Sequence, residues 1–269
     1  MIVKRMGNKS KLAHKIVSYF PDHMYYFEPF FGAGGLFFNK PKCKYNYLND
    51  LDSEIYNLFM LLRDSENLEK IKEYWKHVPA HQDLYKFWKK HKELGSVERA
   101  VRFLFLSNFA YLGKQGSFRS RLGDNTYQII LQRLTEINFN NVLFYNMDFR
   151  KFLKCFLEQL DLEGKPYKKE KNKNYIENTF IYADPPYLDS SNDYKNGDFK
   201  KDDFLDLLKI LNRMGCKFAV SEFDNPWVIE QAHKQGLFIQ EICERKNINN
   251  RRIEILIMNY NLKPKGLFY

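Results

Sequence analysis

The stretch TFIYADPPY (Thr179–Tyr187) changes abruptly from an apolar run to an acid, two prolines and an aromatic ring. An apolar run of this length, bounded by turn-forming residues, is typical of a strand buried in a sheet. The tandem prolines fix two φ angles and keep the preceding residues out of helical geometry. We therefore predict that the Asp184 carboxylate and the Pro185 carbonyl are held rigidly at the end of a buried strand, as two hydrogen-bond acceptors.

Further strand-like segments lie on either side of this one, separated by helical patterns. This alternation predicts an α/β fold with a mostly parallel, doubly wound, Rossmann-like sheet, which binds ligands at the carboxyl ends of its strands. Residues 55–139 show helical patterns alone, so we predict a mainly helical insert between two parts of a catalytic domain, 1–54 and 140–269. The predicted strands are Tyr25–Phe27, Tyr45–Asp50, Val142–Tyr145, Phe180–Ala183, Lys217–Ser221, Phe238–Cys243 and Ile253–Tyr260. The predicted helices include Lys9–Phe20, one starting at Leu36, Glu54–Arg63, Leu68–Trp75, Asp83–His91, Val97–Phe109, Tyr127–Ile137, Asp202–Met214 and Pro226–Gln235.

Composition favours a globular protein with an anionic partner. The 269 residues are 44% hydrophobic and carry a formal net charge of +10. Basic residues interleaved with Tyr, Phe and Asn suit nucleic acid, although a merely Lys-rich surface would give the same totals. The four cysteines lack metal-ligand spacing, so we expect no metal. Neither a signal peptide nor a long apolar segment is present, so we expect a cytoplasmic protein without a membrane partner.

A glycine-rich turn, Glu28–Gly35, joins a predicted strand to the following segment. Glycines allow close backbone approach to a ligand, but the G-x-G-x-x-G pattern of NAD sites is missing. A different nucleoside cofactor therefore fits better, and a purely structural turn is the alternative. Asp50 ends the next strand, where an acid can accept hydrogen bonds from ribose hydroxyls. Its alternative role is the N-cap of a helix that starts near Ser53.

The pair of acceptors at Asp184 and Pro185 suits one kind of chemistry. An exocyclic amino group such as adenine N6 is a poor nucleophile, because its lone pair is delocalised into the ring. Two acceptors on its hydrogens favour the pyramidal geometry that attacks an electrophile. Tyr187 offers a face on which the base can stack, once the base is single-stranded or flipped out of a duplex. A plain turn with a capping Asp is the alternative.

These segments, taken in order, resemble the motifs of N6-adenine DNA methyltransferases of the Dam-like, alpha-group class. The order also matches, because in that family a target-recognition insert separates the glycine motif from the DPPY motif. The matching segments are Arg5-Met6-Gly7-Asn8-Lys9, Glu28–Gly35, Asn49-Asp50, Asp148-Phe149-Arg150 and Asp184-Pro185-Pro186-Tyr187.

The resemblance implies S-adenosylmethionine as cofactor and a role for each matching residue. Lys9 would contact the cofactor, Asp50 its ribose, and Asp148 its adenine, with Phe149 beside that ring. The implied catalytic residues are Asp184, Pro185 and Tyr187, and the implied cofactor-binding residues are Arg5, Lys9, Glu28, Phe31, Gly32, Gly34, Asp50, Asp148, Phe149 and Asp184. Arg5 departs from the family, since many relatives carry Tyr or Trp there.

DNA contacts are expected from two basic segments. The loop Asn108–Arg121 occupies the place of the family's DNA-contacting hairpin but resembles it only in being basic, glycine-bearing and aromatic. We predict phosphate contacts by Lys114, Arg119 and Arg121 and base contacts by Gln115 and Ser117. Arg251 and Arg252, before the last strand, could line the DNA cleft. A solvated loop and a simple hairpin turn are the respective alternatives.

The sequence therefore predicts transfer of a methyl group from S-adenosylmethionine to adenine N6 in double-stranded DNA. Asp at 184 favours adenine, because relatives that methylate cytosine N4 or protein glutamine usually carry Ser or Asn there. An RNA adenine methyltransferase and a non-catalytic DNA-binding subunit of a modification system remain as alternatives. A cognate restriction endonuclease is a candidate partner, and we expect a monomer or weak dimer.

Overall fold

The computed structural model describes residues 2–5, 7–92, 95–110, 118–119, 125–157, 173–188, 199–247 and 250–261. The chain forms two compact units. The helical unit comprises Met1–Ser10, Gly32–Phe38 and Asp52–Asn140, and the sheet unit comprises Lys11–Phe31, Asn39–Leu51 and Asn141–Tyr269.

Seven strands form one sheet in the described part of the sheet unit, in the order β3-β2-β1-β4-β5-β7-β6. Neighbouring strands from β3 to β5 are parallel, whereas β7 is antiparallel to both β5 and β6. The predicted α/β class with a mostly parallel sheet is thereby confirmed. The strands are β1 (Tyr25–Glu28), β2 (Tyr45–Asn49), β3 (Val142–Tyr145), β4 (Thr179–Ala183), β5 (Lys217–Phe223), β6 (Phe238–Asn247) and β7 (Asn250–Met258).

Central strand β4 is apolar because both of its faces are covered. All five of its residues are buried. On one face Phe180 lies 4.5 Å, centroid to centroid, from Phe20, which follows helix α1 (Ala13–Val17). On the other face Ile181 and Ala183 belong to a core shared with helices α7 (Phe149–Leu157), α9 (Lys201–Met214) and α10 (Pro226–Lys234). Burying a side chain such as Phe180 contributes about 1.5–3 kcal/mol, so this strand anchors the sheet.

The helical unit is built from helices α2–α6. Polar side chains set several of their starts: Asp52 accepts from the Glu54 backbone N–H at 3.0 Å, and Asp64 from that of Asn67 at 2.8 Å. Such caps contribute about 1 kcal/mol each. Trp75 packs against Tyr127 with ring centroids 5.3 Å apart. The helices are α2 (Ser53–Leu61), α3 (Ser65–His77), α4 (Gln82–Lys90), α5 (Ser96–Asn108) and α6 (Asn125–Glu136), while α8 (Lys173–Glu177) belongs to the sheet unit.

One helix prediction near the N-terminus was wrong, and another gave a helix that is too long. The segment expected to start a helix at Leu36 forms only a three-residue 3-10 turn, Phe37–Asn39. Gly35 precedes it and Pro41 follows, which leaves too few residues for a stable α-helix. The helix expected over Lys9–Phe20 is a 3-10 turn, Lys9–Lys11, followed by the short helix α1. Within the described ranges, no helix is long and apolar enough to cross a membrane.

Candidate active site

Acidic residues follow the carboxyl ends of four adjacent strands of the sheet unit. Glu28 ends β1, whereas Asp50 follows β2 and Asp184 follows β4. The parallel register pairs Glu28 with Leu48 and aligns Asn49 with Tyr145, so these ends lie along one edge of the sheet. Asp148, three residues after β3, completes the row. This edge therefore carries a row of hydrogen-bond acceptors where parallel sheets bind ligands.

Asn49 cross-links the loops at this edge. Its side chain is 1% exposed, and its Nδ2 donates to the Pro29 carbonyl at 3.0 Å and to the Met147 carbonyl at 2.9 Å. Its Oδ1 accepts from the Met147 backbone N–H at 3.2 Å. One amide thus joins the residues after β1 and before Asp148. Asp50 is held similarly, since its carbonyl accepts from Asn146 Nδ2 at 2.8 Å. The alternative role for Asp50 is excluded, because Asp52 is the N-cap of α2.

The Glu28 carboxyl lies within the electrostatic reach of two other acids. Burial raises its pKa well above the ordinary value of 4.5, and Asp184 and Asp50 raise it further. A hydrogen bond of 2.9 Å from the Tyr26 hydroxyl to Glu28 Oε2 and the charge of Lys40 act in the opposite direction. Glu28 therefore keeps its proton to a higher pH than an exposed glutamate, which reduces the negative charge around Asp184.

Tyr187 of the Asp184-Pro185-Pro186-Tyr187 segment is fixed at both ends. Its hydroxyl donates to Glu254 Oε1, a fully buried carboxyl of β7, and its ring meets that of Phe223 edge-on at 4.6 Å. Burial first, then the charges of Asp184 and Glu254, raise the pKa of Tyr187 well above 10, so the hydroxyl remains a donor. Next along the chain, the Leu188 backbone N–H donates to Glu222 Oε2 at 3.2 Å. Two buried glutamates thus hold the segment in place.

Asp148 and Phe149 begin helix α7. Asp148 Oδ1 accepts from the Arg150 backbone N–H at 2.8 Å, and Oδ2 lies 3.3 Å from Arg150 Nη1. The Phe149 ring is only 5% exposed, because Phe30 at 5.2 Å and Phe199 at 6.0 Å pack against it. The Phe149 ring is therefore buried beside the carboxyl ends of the strands, and its neighbours Phe30 and Phe199 are half-buried.

The glycine turn crosses from the sheet unit into the helical unit at Gly32. Gly32 has φ of +54° and Gly34 of +72°, a region that other residues rarely adopt. At Gly35 an added Cβ would overlap Asn8 Oδ1 and lie 3.0 Å from the Lys9 backbone nitrogen. The three glycines therefore permit the turn and its close packing on the N-terminal segment. Phe31, which was predicted to bind the cofactor, instead buries its ring against that of Phe144, with the ring centroids 5.4 Å apart.

Lys9 and Arg5 are both engaged within the helical unit. Lys9 is 2% exposed, and its ammonium donates to the Gly7 carbonyl at 3.2 Å. Arg5 Nη1 lies 3.3 Å from Asp52 Oδ2, the carboxylate that caps α2. The arginine found where relatives carry an aromatic residue thus forms an ion pair that stabilises a helix start.

Only part of the predicted DNA-contacting set lies in the described residues. Arg119 is exposed, and its backbone N–H donates to the Phe109 carbonyl at 2.9 Å. An antiparallel bridge between Ala110 and Phe118 closes the base of the loop. Lys4 is close enough that burial, followed by the charges of Arg119 and Arg133, lowers its pKa. Lys114, Gln115, Ser117 and Arg121 lie outside the described residues, as does the side chain of Arg251.

Arg252 is half-buried on β7. Its guanidinium carbon lies 5.2 Å from the centroid of Phe223, the ring that also contacts Tyr187. Arg252 and Tyr187 thus contact the same aromatic ring. In the described part of the chain, no cluster of three His, Cys, Asp or Glu residues could hold a metal ion.

The sheet and the acidic strand ends around Asp184-Pro185-Pro186-Tyr187 define an α/β chain of the methyltransferase class. The chain belongs to the D12 class N6 adenine-specific DNA methyltransferase family, whose model matches residues 6–252. The family expected from the order of the sequence motifs is thereby confirmed. Membership of this methyltransferase family implies that S-adenosylmethionine is the methyl donor.

Three relatives share about a quarter of their aligned residues with the chain. The modification methylase StsI of Streptococcus sanguinis is 24% identical over 281 residues, covering 95% of this chain and 39% of that protein. The DNA N-6-adenine-methyltransferase of Escherichia phage P1 is 24% identical, with 92% and 33% covered. The type II methyltransferase M.MjaIII of Methanocaldococcus jannaschii is 24% identical, with 96% and 98% covered. The chain thus spans 39% and 33% of the first two relatives and nearly all of the third.

Several residues at this edge were missed by the sequence predictions. Glu254 contacts the predicted site residue Tyr187 from 67 positions away in the sequence. Arg150 contacts Asp148 and also reaches Asp203 and Asp206 of α9. No local signal distinguishes Phe199, which lies just before α9.

Proposed function

We propose that this chain transfers a methyl group from S-adenosylmethionine to N6 of an adenine in double-stranded DNA. The observation that carries the proposal is the Asp184-Pro185 pair at the end of a fully buried strand, with the Tyr187 ring held beside it by Glu254. Two rigid acceptors and one aromatic ring are what a flipped exocyclic amine requires.

The chemistry of the strand ends fits the cofactor. Asp50 offers a carboxylate for two ribose hydroxyls, and Asp148 offers one for an exocyclic amine. Asp50 and Asp184 are each close enough to Glu28 to raise its pKa. Such an acidic environment stabilises a positive charge, and the cofactor carries one on its sulfonium. Gly32, Gly34 and Lys9 stay proposed cofactor-binding residues on the strength of their place in the sequence motifs.

When bound, S-adenosylmethionine supplies an electrophilic methyl group. The protein's part is to hold the amine and to manage its protons. Asp184 Oδ and the Pro185 carbonyl accept the two N6 hydrogens, which favours a pyramidal nitrogen with its lone pair available. After methylation the nitrogen is positively charged and acidic, so its surplus proton leaves along the hydrogen bond to Asp184. Because Glu28 tends to keep its own proton, it adds little negative charge beside Asp184, which would take up the proton released by the amine.

The direct test is incubation with tritiated S-adenosylmethionine and unmethylated duplex DNA, followed by nucleoside analysis. We expect label in N6-methyl-2′-deoxyadenosine from DNA. Label in N4-methylcytosine or in RNA alone would assign a different substrate. The absence of label from every nucleic acid offered would support a non-catalytic DNA-binding subunit instead.

The variant that tests the site is Asp184→Ala. We expect turnover to fall below detection while cofactor binding remains measurable by calorimetry, because Asp184 acts on the amine. Asp202→Ala, an exposed acid in the first turn of α9, is the matched control and should remain active. Full activity of Asp184→Ala would refute its assigned role.

We further propose that residues 55–139 form the DNA-recognition domain inserted in a catalytic domain of 1–54 and 140–269. Clustered cations support this, since Arg119 and Arg133 of the insert are close enough to Lys4, which belongs to the same compact unit, for their charges to lower its pKa. Neutralising Lys114, Arg119 and Arg121 together should weaken DNA binding and reduce its salt dependence, by about 0.9 in the log–log slope per lost phosphate contact. An unchanged slope would reject this loop as a DNA contact.

The biological setting is proposed from the relatives. Some are named type II methyltransferases or modification methylases, which supports a restriction–modification role with a cognate endonuclease in the cytoplasm. A matching endonuclease should cut the unmethylated site and spare DNA treated with this chain. Light scattering should give the mass of a monomer, or of a dimer that dissociates on dilution.

A further inference from the structure

Arg150 holds three carboxylates of the sheet unit at once. Its Nε donates to Asp206 Oδ2 at 2.7 Å, and its Nη2 donates to Asp203. Its Nη1 lies 3.3 Å from Asp148 Oδ2, and its guanidinium carbon lies 4.5 Å from the Phe149 ring centroid. A guanidinium is a planar fork with fixed donor directions, so three contacts of this kind leave it one orientation.

The aspartates come from two helices. Asp203 is in the first turn of α9, where it also accepts from the Lys200 backbone N–H at 2.7 Å, and Asp206 lies three residues later on the same face. Asp148 precedes α7. Arg150 therefore ties the start of α7 to the start of α9, and the position of Asp148 depends on both.

Electrostatics make this clamp strong. Although burial opposes the charge, the hydrogen bonds that Arg150 donates to Asp203 and Asp206 and the charge of Asp148 raise the pKa of Arg150. Burial likewise opposes ionisation of Asp203, but the hydrogen bond from Arg150 prevails and lowers the pKa of that carboxyl. Without the guanidinium, three acids would repel one another and Asp148 would turn towards solvent.

The clamp leaves Asp148 able to accept more. Its two oxygens each accept from Arg150, one from the backbone and one from the side chain, while the side chain is still 46% exposed. A carboxylate has about four lone-pair sites, so its outer pair can receive a further donor. The two hydrogen bonds from Arg150 fix the direction of the Asp148 carboxylate, as expected of a residue that selects one ligand group.

We propose that Arg150 is a positioning residue that aims the Asp148 carboxylate at the exocyclic amino group of the cofactor's adenine, and so makes the site selective for adenosine. The inference rests on the proposed function. It assigns Arg150 no contact with the cofactor: Arg150 acts through Asp148. The competing interpretation is a purely structural ion cluster that joins α7 to α9.

Calorimetric binding of S-adenosylhomocysteine and S-inosylhomocysteine separates these interpretations. The second compound has a carbonyl where the first has the amino group, so a positioned Asp148 repels it. We expect wild-type protein to bind the adenosine compound at least about tenfold more tightly. In Arg150→Gln this ratio should approach one, with weaker binding of the adenosine compound. Arg150→Lys, which keeps the charge without the fork, should fold normally and lose most of the ratio.

Two further variants make the test specific. Asp148→Asn should lose the same ratio, and the double variant Asp148→Asn, Arg150→Gln should lose no more than either alone, because both act on one interaction. Arg213→Gln, an exposed arginine near the end of α9, should match wild type. A lowered melting temperature with an unchanged ratio in Arg150→Gln and Arg150→Lys would establish the structural interpretation and overturn the proposal.

The binding ratio is measured without turnover, so the two proposals fail separately. Wild-type protein that discriminates between the compounds but labels no DNA would refute the proposed function, and loss of that discrimination in Arg150→Gln would still support the role of Arg150. Wild-type protein that methylates DNA but binds both compounds equally would overturn the role of Arg150 alone.

Discussion

Removing the Tyr187 hydroxyl should lower the stability of the sheet unit, while the remaining ring should still stack on a base. In Tyr187→Phe the ring stays against Phe223, 4.6 Å away, while Glu254 loses the donor that contacts its Oε1. Glu254 is 0% exposed, so water does not replace that donor. Loss of one partner by a buried polar group costs about 1–3 kcal/mol, and about 2 kcal/mol corresponds to roughly a thirtyfold change in the folding equilibrium.

Urea denaturation followed by circular dichroism measures this loss directly. Glu254→Gln keeps an acceptor oxygen and should cost less than Tyr187→Phe, and a double-mutant cycle should give a coupling energy of about 1–2 kcal/mol. Tyr74→Phe, on an exposed part of α3, is the control and should change stability by less than about 0.5 kcal/mol. Turnover of Tyr187→Phe should stay within about tenfold of wild type, whereas Tyr187→Ala, which removes the ring, should lose stacking of about 1–3 kcal/mol. If Tyr187→Phe unfolds at the same urea concentration as wild type, the reasoning is refuted.

Three other perturbations have defined outcomes. Gly35→Ala should lower the free energy of unfolding by about 1–3 kcal/mol, because the added Cβ meets backbone atoms. Gly95→Ala should cost less, because its Cβ meets only the flexible Glu98 side chain. The melting temperatures of the two variants test this difference. Because the pKa of Glu28 is raised in the folded state, its protonated carboxyl should contribute its full stabilisation below pH 4.5 and lose it as pH rises through the folded-state pKa. Glu28→Gln should lack this decline in denaturation curves measured from pH 4 to 8. Arg133→Gln should weaken DNA binding at low salt and reduce the salt slope by about 0.9, and an unchanged slope would exclude a phosphate contact.

The parts of this fold that sequence predicts are those set by local chemistry. The apolar run of β4 and the prolines after it specify a buried strand and its end without reference to other segments. Local rules also account for the caps Asp52 and Asp64, but the sequence predicted a possible cap at Asp50 and a helix start at Leu68 instead. Local rules fail at Leu36, where apolar residues suggest a helix but Gly35 and Pro41 leave no room for one.

Contacts between distant side chains were not predictable in this way. The Asn49 amide acts on residues 20 and 98 positions away, and Tyr187 donates to a glutamate 67 positions away. Arg150 reaches acids 53 and 56 positions away. A single sequence contains these residues but not their pairing, because pairing depends on which helices pack against which strands.

The strand order has a consequence for biosynthesis. β1 pairs with β4, with Tyr25 aligned to Thr179, so about 150 residues separate the two central strands. At about 5–20 residues per second, a ribosome takes roughly 8–30 s to add the partner after β1 has been made. Meanwhile the intervening helices can form through local contacts, while β1 presents an unpaired edge. The nascent chain is therefore most exposed to aggregation in this interval, and chaperone dependence should end once residues up to 183 have left the ribosome.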